Sequence, residues 1–330
     1  MTETYMPHPF TMDGHQDAIY YAAAHGGTAA FDAGWEGAQL DLPNLRAGEV
    51  DASFWAIFGV GEMLDEHEPA ACADEVDELM ARYLAWVGGN PEYRLILDAS
   101  DLRSTAAAGG EAAFGVLLHC EGARGIAGPE HLGALHEAGL RSLGLTWNRS
   151  NAYATGVFGD PGEALTPEGF ALVRELNSLR MVIDGAHLNR RGLWNVLETS
   201  TSPVIVTHTA CAALCPNPRN LEDDQIGAVA ASGGLIGVFY ANDFLAPHGT
   251  PVTLDTLVAH YDHLLEVAGP EHVALGTDYG GIGEGLPPGL EQVGNLPRLY
   301  TAIAERGYSA ETIAALRGGN YLRVLGEILG

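Results

Sequence analysis

Histidines and carboxylates recur along this chain at the ends of short apolar runs, a pattern that suits a metal centre. His15 and Asp17 lie two apart in Thr-Met-Asp-Gly-His-Gln-Asp. In an extended strand residues i and i+2 point to the same side, so both can face one ion, which a helical spacing of two would forbid. Far downstream, His187 and His208 end the strand-like segments Met-Val-Ile-Asp-Gly-Ala-His and Pro-Val-Ile-Val-Thr-His. Glu121 closes Phe-Gly-Val-Leu-Leu-His-Cys-Glu, and Asp278 closes His-Val-Ala-Leu-Gly-Thr-Asp. A lone His-x-Asp arises often by chance, and the weight here comes from repetition. Imidazole and carboxylate donors with water suit Zn²⁺ or a similar transition metal, and Glu121 could bridge two ions.

The elements that must position these residues are eight strand-like runs, near 10–17, 50–59, 113–121, 140–148, 181–187, 203–208, 234–240 and 272–278. Helical patterns lie between them. Val76, Leu79, Met80, Tyr83, Leu84 and Val87 recur at steps of three and four, Thr166-Pro167 reads as a cap followed by Pro at the first helical position, and a further pattern covers 309–328. Eight strands alternating with helices describe a (β/α)8 barrel. A doubly wound open sheet would bring a glycine-rich phosphate turn after its first strand, and none is present. Gly280-Gly281-Ile282-Gly283 follows the last run instead and reads as a loop. No linker or low-complexity block divides the chain, so one barrel domain over 1–330 is the simplest account. All six candidate residues fall at or just past strand C-termini, the face on which barrel enzymes build their sites, and an apolar interior would penalise them unpaired. His187 and His208 lie about one β-α unit apart, which places them on adjacent strands.

Composition narrows the partners. The net charge of -27 sets 43 acidic residues against 16 basic ones, every one of them arginine. Such a surface repels phosphate backbones and anionic lipid headgroups, arguing against nucleic acid or membrane as a partner. Without lysine there is no Schiff base, no P-loop lysine and no carbamylated lysine between two metals, so a bridging ligand must be a carboxylate. The first ten residues lack a basic n-region and an apolar h-region, and no run is long enough to cross a bilayer; the expected location is cytoplasmic. Cys72, Cys120, Cys211 and Cys215 are too few and irregularly spaced for a disulfide scaffold and are expected as buried thiols. Cys211 and Cys215, one helical turn apart, offer a weak alternative site for a soft metal.

Taken in order, Asp13-Gly14-His15-Gln16-Asp17, Glu121-Gly122, Leu145-Thr146-Trp147-Asn148, Asp184-Gly185-Ala186-His187, Thr207-His208-Thr209-Ala210 with Arg219-Asn220, Gly276-Thr277-Asp278-Tyr279-Gly280 and Gly319-Asn320-Tyr321-Leu322-Arg323-Val324 resemble the membrane (renal) dipeptidase family of the amidohydrolase superfamily. The resemblance spans almost the whole chain. It implies an amidohydrolase-like (β/α)8 barrel with a binuclear zinc centre that hydrolyses dipeptides, often with a D-residue at the C-terminal position. It further implies that His15 and Asp17 bind one zinc, His187 and His208 the other, and that Glu121 bridges them. Arg219 would hold the substrate's carboxylate and Asp278 would move a proton. The chain departs from the family where many members carry histidine after Leu-Thr, which here is Trp147. It also has Asp278-Tyr279-Gly280-Gly281 for Asp-Phe-Asp-Gly, and Gln16 for Asn. No lipid-anchor tail is visible, so membrane attachment does not carry over.

The chemistry follows from the residues themselves. Two ions sharing a water or hydroxide lower its pKa toward neutrality, while one polarises the carbonyl. Asp278 can take the nucleophile's proton and pass it to the leaving amine. The planar fork of Arg219 matches a carboxylate. Trp147, Asn148 and Tyr240 are expected on the substrate side, with Trp147 as a pocket wall. Two other readings compete: an amidohydrolase or lactonase for a non-peptide substrate, to which Trp147 points, and a catalytically silent barrel that binds a ligand. The expected partner is a small dipeptide, and the assembly is open between monomer and homodimer.

Overall fold

The computed structural model describes residues 9–63, 69–283 and 285–330. Its strands are β1 (Met12–Gln16), β2 (Ala52–Ile57), β3 (Tyr93–Leu95), β4 (Phe114–Cys120), β5 (Leu140–Gly144), β6 (Val182–Asp184), β7 (Val204–Thr209), β8 (Leu235–Val238) and β9 (Val273–Leu275). All pairings among them are parallel. β2 pairs directly with β4, and β1 pairs with both β2 and β9, so eight strands close on themselves as a (β/α)8 barrel. β3 stands outside that ring and lies against the first half of β4. The eight expected strands are thus all present, each shortened at one or both ends or shifted by a residue.

The barrel has two cores. Its interior is filled by Met12, Ala52, Phe54, Leu117, Ile205 and Leu235, among others, and helix Asn320–Leu329 plugs it from below with Tyr321, Val324, Leu325 and Ile328. The Tyr321 hydroxyl donates to the Leu275 carbonyl (2.8 Å), and Asn320 Nδ2 donates to that of Val273 (2.9 Å), which ties the plug to β9. The outer core lies between strands and surrounding helices and includes Val76, Met80 and Tyr83 of helix Pro69–Gly89, the element expected from their spacing. Thr166 caps helix Pro167–Ser178 by accepting from Gly169 N–H, with Pro167 at the first helical position, as read from sequence. The pattern at 309–328 is Ala310–Ala314 and Asn320–Leu329, joined by a wide turn of π-helix at Ala315–Gly319.

All four cysteines are buried free thiols. The Cys211 and Cys215 sulfurs lie near the His260 and Asp243 carbonyls, respectively, and neither residue belongs to a potential metal cluster among the described residues. Among the described residues no helix is long and apolar enough to cross a membrane. The leader reading rests on a segment whose residues 1–8 lie outside the described residues.

Candidate metal centre

At the C-terminal mouth of the barrel, strand ends that are far apart in sequence meet. His15 is carried on β1 and fully buried, and Asp17 follows at the start of helix Ala18–Ala24. The Asp17 N–H donates to the Tyr279 carbonyl (3.0 Å), and the Asp278 N–H donates to the His15 carbonyl (3.0 Å), so main-chain bonds lock these three candidates across the β1–β9 seam. Beneath them the buried Asp13 carboxylate accepts from Thr277 N–H, the Thr277 hydroxyl and Gln16 Nε2.

His15 Nε2 faces three carboxylates: Glu121 Oε2 at 3.6 Å, Asp17 Oδ2 at 3.7 Å and Asp278 Oδ1 at 3.8 Å. It has no hydrogen-bond partner although it is buried. An orphaned buried nitrogen is costly, whereas donors at about 2.0–2.2 Å from one tetrahedral ion would stand roughly 3.4 Å apart, close to these spacings. Burial resists a proton on His15, but the three carboxylates together hold its pKa well above the ordinary value, so the place calls for positive charge. Burial pushes the Asp278 carboxyl well above the carboxylate range, opposed by His15 and reinforced by Asp17 and Glu121. Gly281 covers this side, and any Cβ there would collide with both Asp17 and Asp278.

The other side of Glu121 meets two histidines. Glu121 Oε1 lies 2.9 Å from His187 Nε2 and 3.6 Å from His208 Nε2, and the two imidazole nitrogens are 2.9 Å apart. Their tautomers follow from their partners. Asn148 Oδ1 can only accept, so at 2.8 Å it takes the proton of His187 Nδ1. The Thr207 hydroxyl gives its proton to Asp184 Oδ2 (2.7 Å) and therefore accepts from His208 Nδ1 (2.9 Å). Both Nε2 atoms are left with lone pairs. Burial, with Arg219 adding, lowers His187 to about 4, and burial depresses His208 well below its usual value, so neither ring carries a second proton. Three acceptors with no proton among them converge on one point, an arrangement that a cation resolves. The residues present therefore fit divalent metal, and the donor atoms of His15, Glu121 and His208, and those of His15, Asp17 and Asp278, lie close enough to hold an ion.

Two of these side chains sit on strained backbone. His187 and Asp278 have φ of 65° and 61°, the left-handed region that non-glycine residues seldom occupy and that concentrates at functional sites. Each follows a strand by a few residues, where the chain turns back over the barrel mouth.

Arg219 is 5% exposed, with its guanidinium 5.8 Å from the Phe239 ring, and a cavity of about 340 Å³ opens beside it and His187, lined also by Val157, Asn189 and Leu221. Burial lowers its pKa to about 10, against the pull of Glu121, Asp184 and Asp278, so it stays charged. Trp147 is half-buried, its ring 5.3 Å from that of Phe58 and 6.0 Å from that of His187, forming an aromatic wall. Two expectations change. Tyr240 does not line the site: it is fully buried and its hydroxyl pairs with that of Tyr261 (3.0 Å), because alternation along the chain turns Phe239 toward His208 and Tyr240 the opposite way. Asn148 turns its carboxamide oxygen to His187 Nδ1 and is not among the residues lining this cavity.

The sequence reading overlooked several supporting residues. Asp184 and Thr207 lie inside the quoted motifs next to the histidines they serve, so adjacency was the available signal. Glu62 carried none: it is buried, accepts from Arg124 N–H (2.8 Å), abuts Gly122 beside Glu121, and burial raises it to about 7. Nor did Gln39, which clamps the turn after Asp278 by accepting from Gly280 N–H (2.6 Å) and donating to the Ile282 carbonyl (2.9 Å).

Comparison with known proteins gives the chain a family. The model of the membrane dipeptidase family, peptidase family M19, matches residues 3–329. A Klebsiella pneumoniae protein described as uncharacterized, from the pqqA 5′ region, is 39% identical over 247 residues, which is 71% of this chain and 89% of that protein. An uncharacterized dipeptidase of Schizosaccharomyces pombe is 29% identical over 327 residues, covering 95% of this chain and 79% of its own. A crystal structure of a metallopeptidase from Rhodobacter sphaeroides, liganded with a phosphinate mimic of the dipeptide L-Ala-D-Ala, has 29% identity and a TM-score of 0.85, covering 97% of this chain and 99% of that one.

Proposed function

The chain belongs to the membrane dipeptidase family, peptidase family M19, and is a metal-dependent dipeptidase, and from that premise we propose how its own residues divide the work. His15, Asp17, Glu121, His187 and His208 would hold the zinc, with His15 and Asp17 on one side of Glu121 and the other two histidines on the opposite side. The observation that carries this reading is Glu121 itself, whose two oxygens face different histidine groups across the barrel mouth. Imidazole and carboxylate donors in this number suit zinc. Divalent ions in this place supply Lewis acidity, lowering the pKa of water toward neutrality and polarising the scissile carbonyl.

The remaining steps belong to side chains. Arg219, charged and facing the cavity, receives the dipeptide's C-terminal carboxylate through its planar fork and so sets the length of the substrate. Asp278, whose pKa burial raises, takes a proton from the attacking water and returns it to the leaving amine. Trp147, tilted against the rings of Phe58 and His187, closes the approach to His187 on the side away from Arg219's cavity. The L-Ala-D-Ala mimic bound by the Rhodobacter sphaeroides relative supports acceptance of a D-residue at the C-terminal position.

Metal analysis of the purified protein, together with a panel of L,L and L,D dipeptides, their amides and simple lactones, tests this. The expected result is two zinc ions per chain and hydrolysis of dipeptide acids, with the amides poor substrates. Arg219→Lys should weaken binding of the acids, because a point charge cannot reproduce two parallel hydrogen bonds. A single ion per chain would remove the bridge. Equal rates on acids and amides would remove the role of Arg219, and faster lactone than dipeptide hydrolysis would replace the peptide by an ester as substrate.

A further inference from the structure

His187 and His208 point at the same place, yet they are steadied by different means. His208 leans on Thr207 and Asp184, both buried within the barrel wall, with Asp184 accepting from Thr207 N–H (2.9 Å) as well as from its hydroxyl. His187 stands past the end of β6 on left-handed backbone, and its Nδ1 meets the Asn148 side chain, borne by the loop after β5. That loop returns to the histidine: Val157 N–H donates to the His187 carbonyl (2.8 Å), Phe158 N–H to the Asn148 carbonyl (3.0 Å), and Asn189 N–H to the Thr155 carbonyl (3.1 Å). One excursion of chain therefore grips His187 by its main chain and, through Asn148, by its ring.

We propose that Asn148 is the positioning residue of His187, fixing its tautomer and ring angle so that Nε2 is presented for metal; this rests on His187 being a metal ligand. A ligating imidazole works only as the neutral ring with its lone pair directed at the ion, and the partner of its other nitrogen decides which tautomer exists. An amide oxygen at 2.8 Å selects the Nδ1–H form. Asn148 is not among the residues that line the cavity beside Arg219, and its role is exercised through His187.

Zinc chloride titration of chelator-stripped protein reads this out. Asn148→Leu, close in volume but without an acceptor, should bind one of two zinc equivalents about 10–100-fold more weakly and leave the other unchanged. Asn148→Asp, which restores an acceptor, should recover parent affinity or exceed it. Nitrogen-15 NMR of the metal-free protein should show His187 as the Nδ1–H tautomer in the parent and in Asn148→Asp, and its loss in Asn148→Leu. Parent-like zinc binding and an unchanged tautomer in Asn148→Leu, with a raised KM for dipeptides, would overturn the proposal in favour of a substrate contact. Failure of the parent itself to bind zinc with His187 in the Nδ1–H form would instead overturn the metal-ligand reading and leave the hydrogen bond in place.

Discussion

Across the β1–β9 seam, His15, Asp17 and Asp278 are set by main-chain hydrogen bonds that also close the barrel, whereas on the β5–β6 side the His187 ring is set by one carboxamide on a half-exposed loop residue. On the seam, geometry and folding are one event, because the bonds that orient the side chains are the bonds that join the first strand to the last. On the loop side they are separable: the barrel can stand with His187 turned. His208 stands between these cases, borne on a strand but oriented by the Thr207–Asp184 pair. The contrast teaches that one end of the proposed centre is as rigid as the fold, while the other can be altered without breaking it.

Glu121 belongs to both regions, so its loss should be the most severe. Glu121→Gln replaces the charge that balances two dications by a neutral amide, and both bound zinc and hydrolysis should fall to background. Full metal content with normal turnover would dissolve the comparison, since the two regions would then share nothing. Asp278→Asn probes the seam alone. Asparagine tolerates the left-handed backbone, so zinc should be retained while kcat drops by about 10²–10⁴-fold through lost proton transfer; retained kcat would remove Asp278 from the chemistry.

A sharper division comes from pairing Thr207→Val with Asn148→Leu in denaturant unfolding of the metal-free protein. The valine leaves Asp184 and His208 Nδ1 short of a buried partner, a loss of about 1–3 kcal/mol. The loop variant should change stability by less than about 0.5 kcal/mol. Equal losses would show that the loop side is as much part of the fold as the barrel wall. The mildest effect is expected at Trp147→Phe, which keeps most of the wall and deletes the indole donor: KM should rise a little with kcat nearly constant. A fall in kcat of about a hundredfold at unchanged KM and metal content would make that N–H catalytic.

The barrel was legible because eight apolar runs alternate with helical patterns and five of them end in a histidine or carboxylate of the kind that marks the functional face. The short β3 was not: Tyr93-Arg94-Leu95 offers three residues with an exposed arginine at the middle, too little alternation to announce a strand. β5 was overextended to 148 because Leu145-Thr146-Trp147 continues the apolar run, although its ladder with β6 ends at Gly144 opposite Asp184. The placing of His15, Asp17, Glu121, His187, His208 and Asp278 around one point follows from strand-end position, which sequence carries. What Asn148 and Tyr240 do depends on which way one side chain points, and a shift of a single residue reverses it. Phe239 and Tyr240 are neighbours in sequence and face opposite surroundings.

Closure of the barrel through β1 and β9 also sets an order of events during synthesis. His15 and Asp17 leave the ribosome about 260 residues ahead of Asp278 and of the strand that fixes them. A nascent chain therefore carries scattered histidines and carboxylates with no complete pocket until β9 has emerged. Metal taken up before closure has no defined seat, so productive loading belongs after β9 has joined β1, and a transcript truncated ahead of β9 yields a polypeptide that holds most of the donors and none of the seam that aligns them.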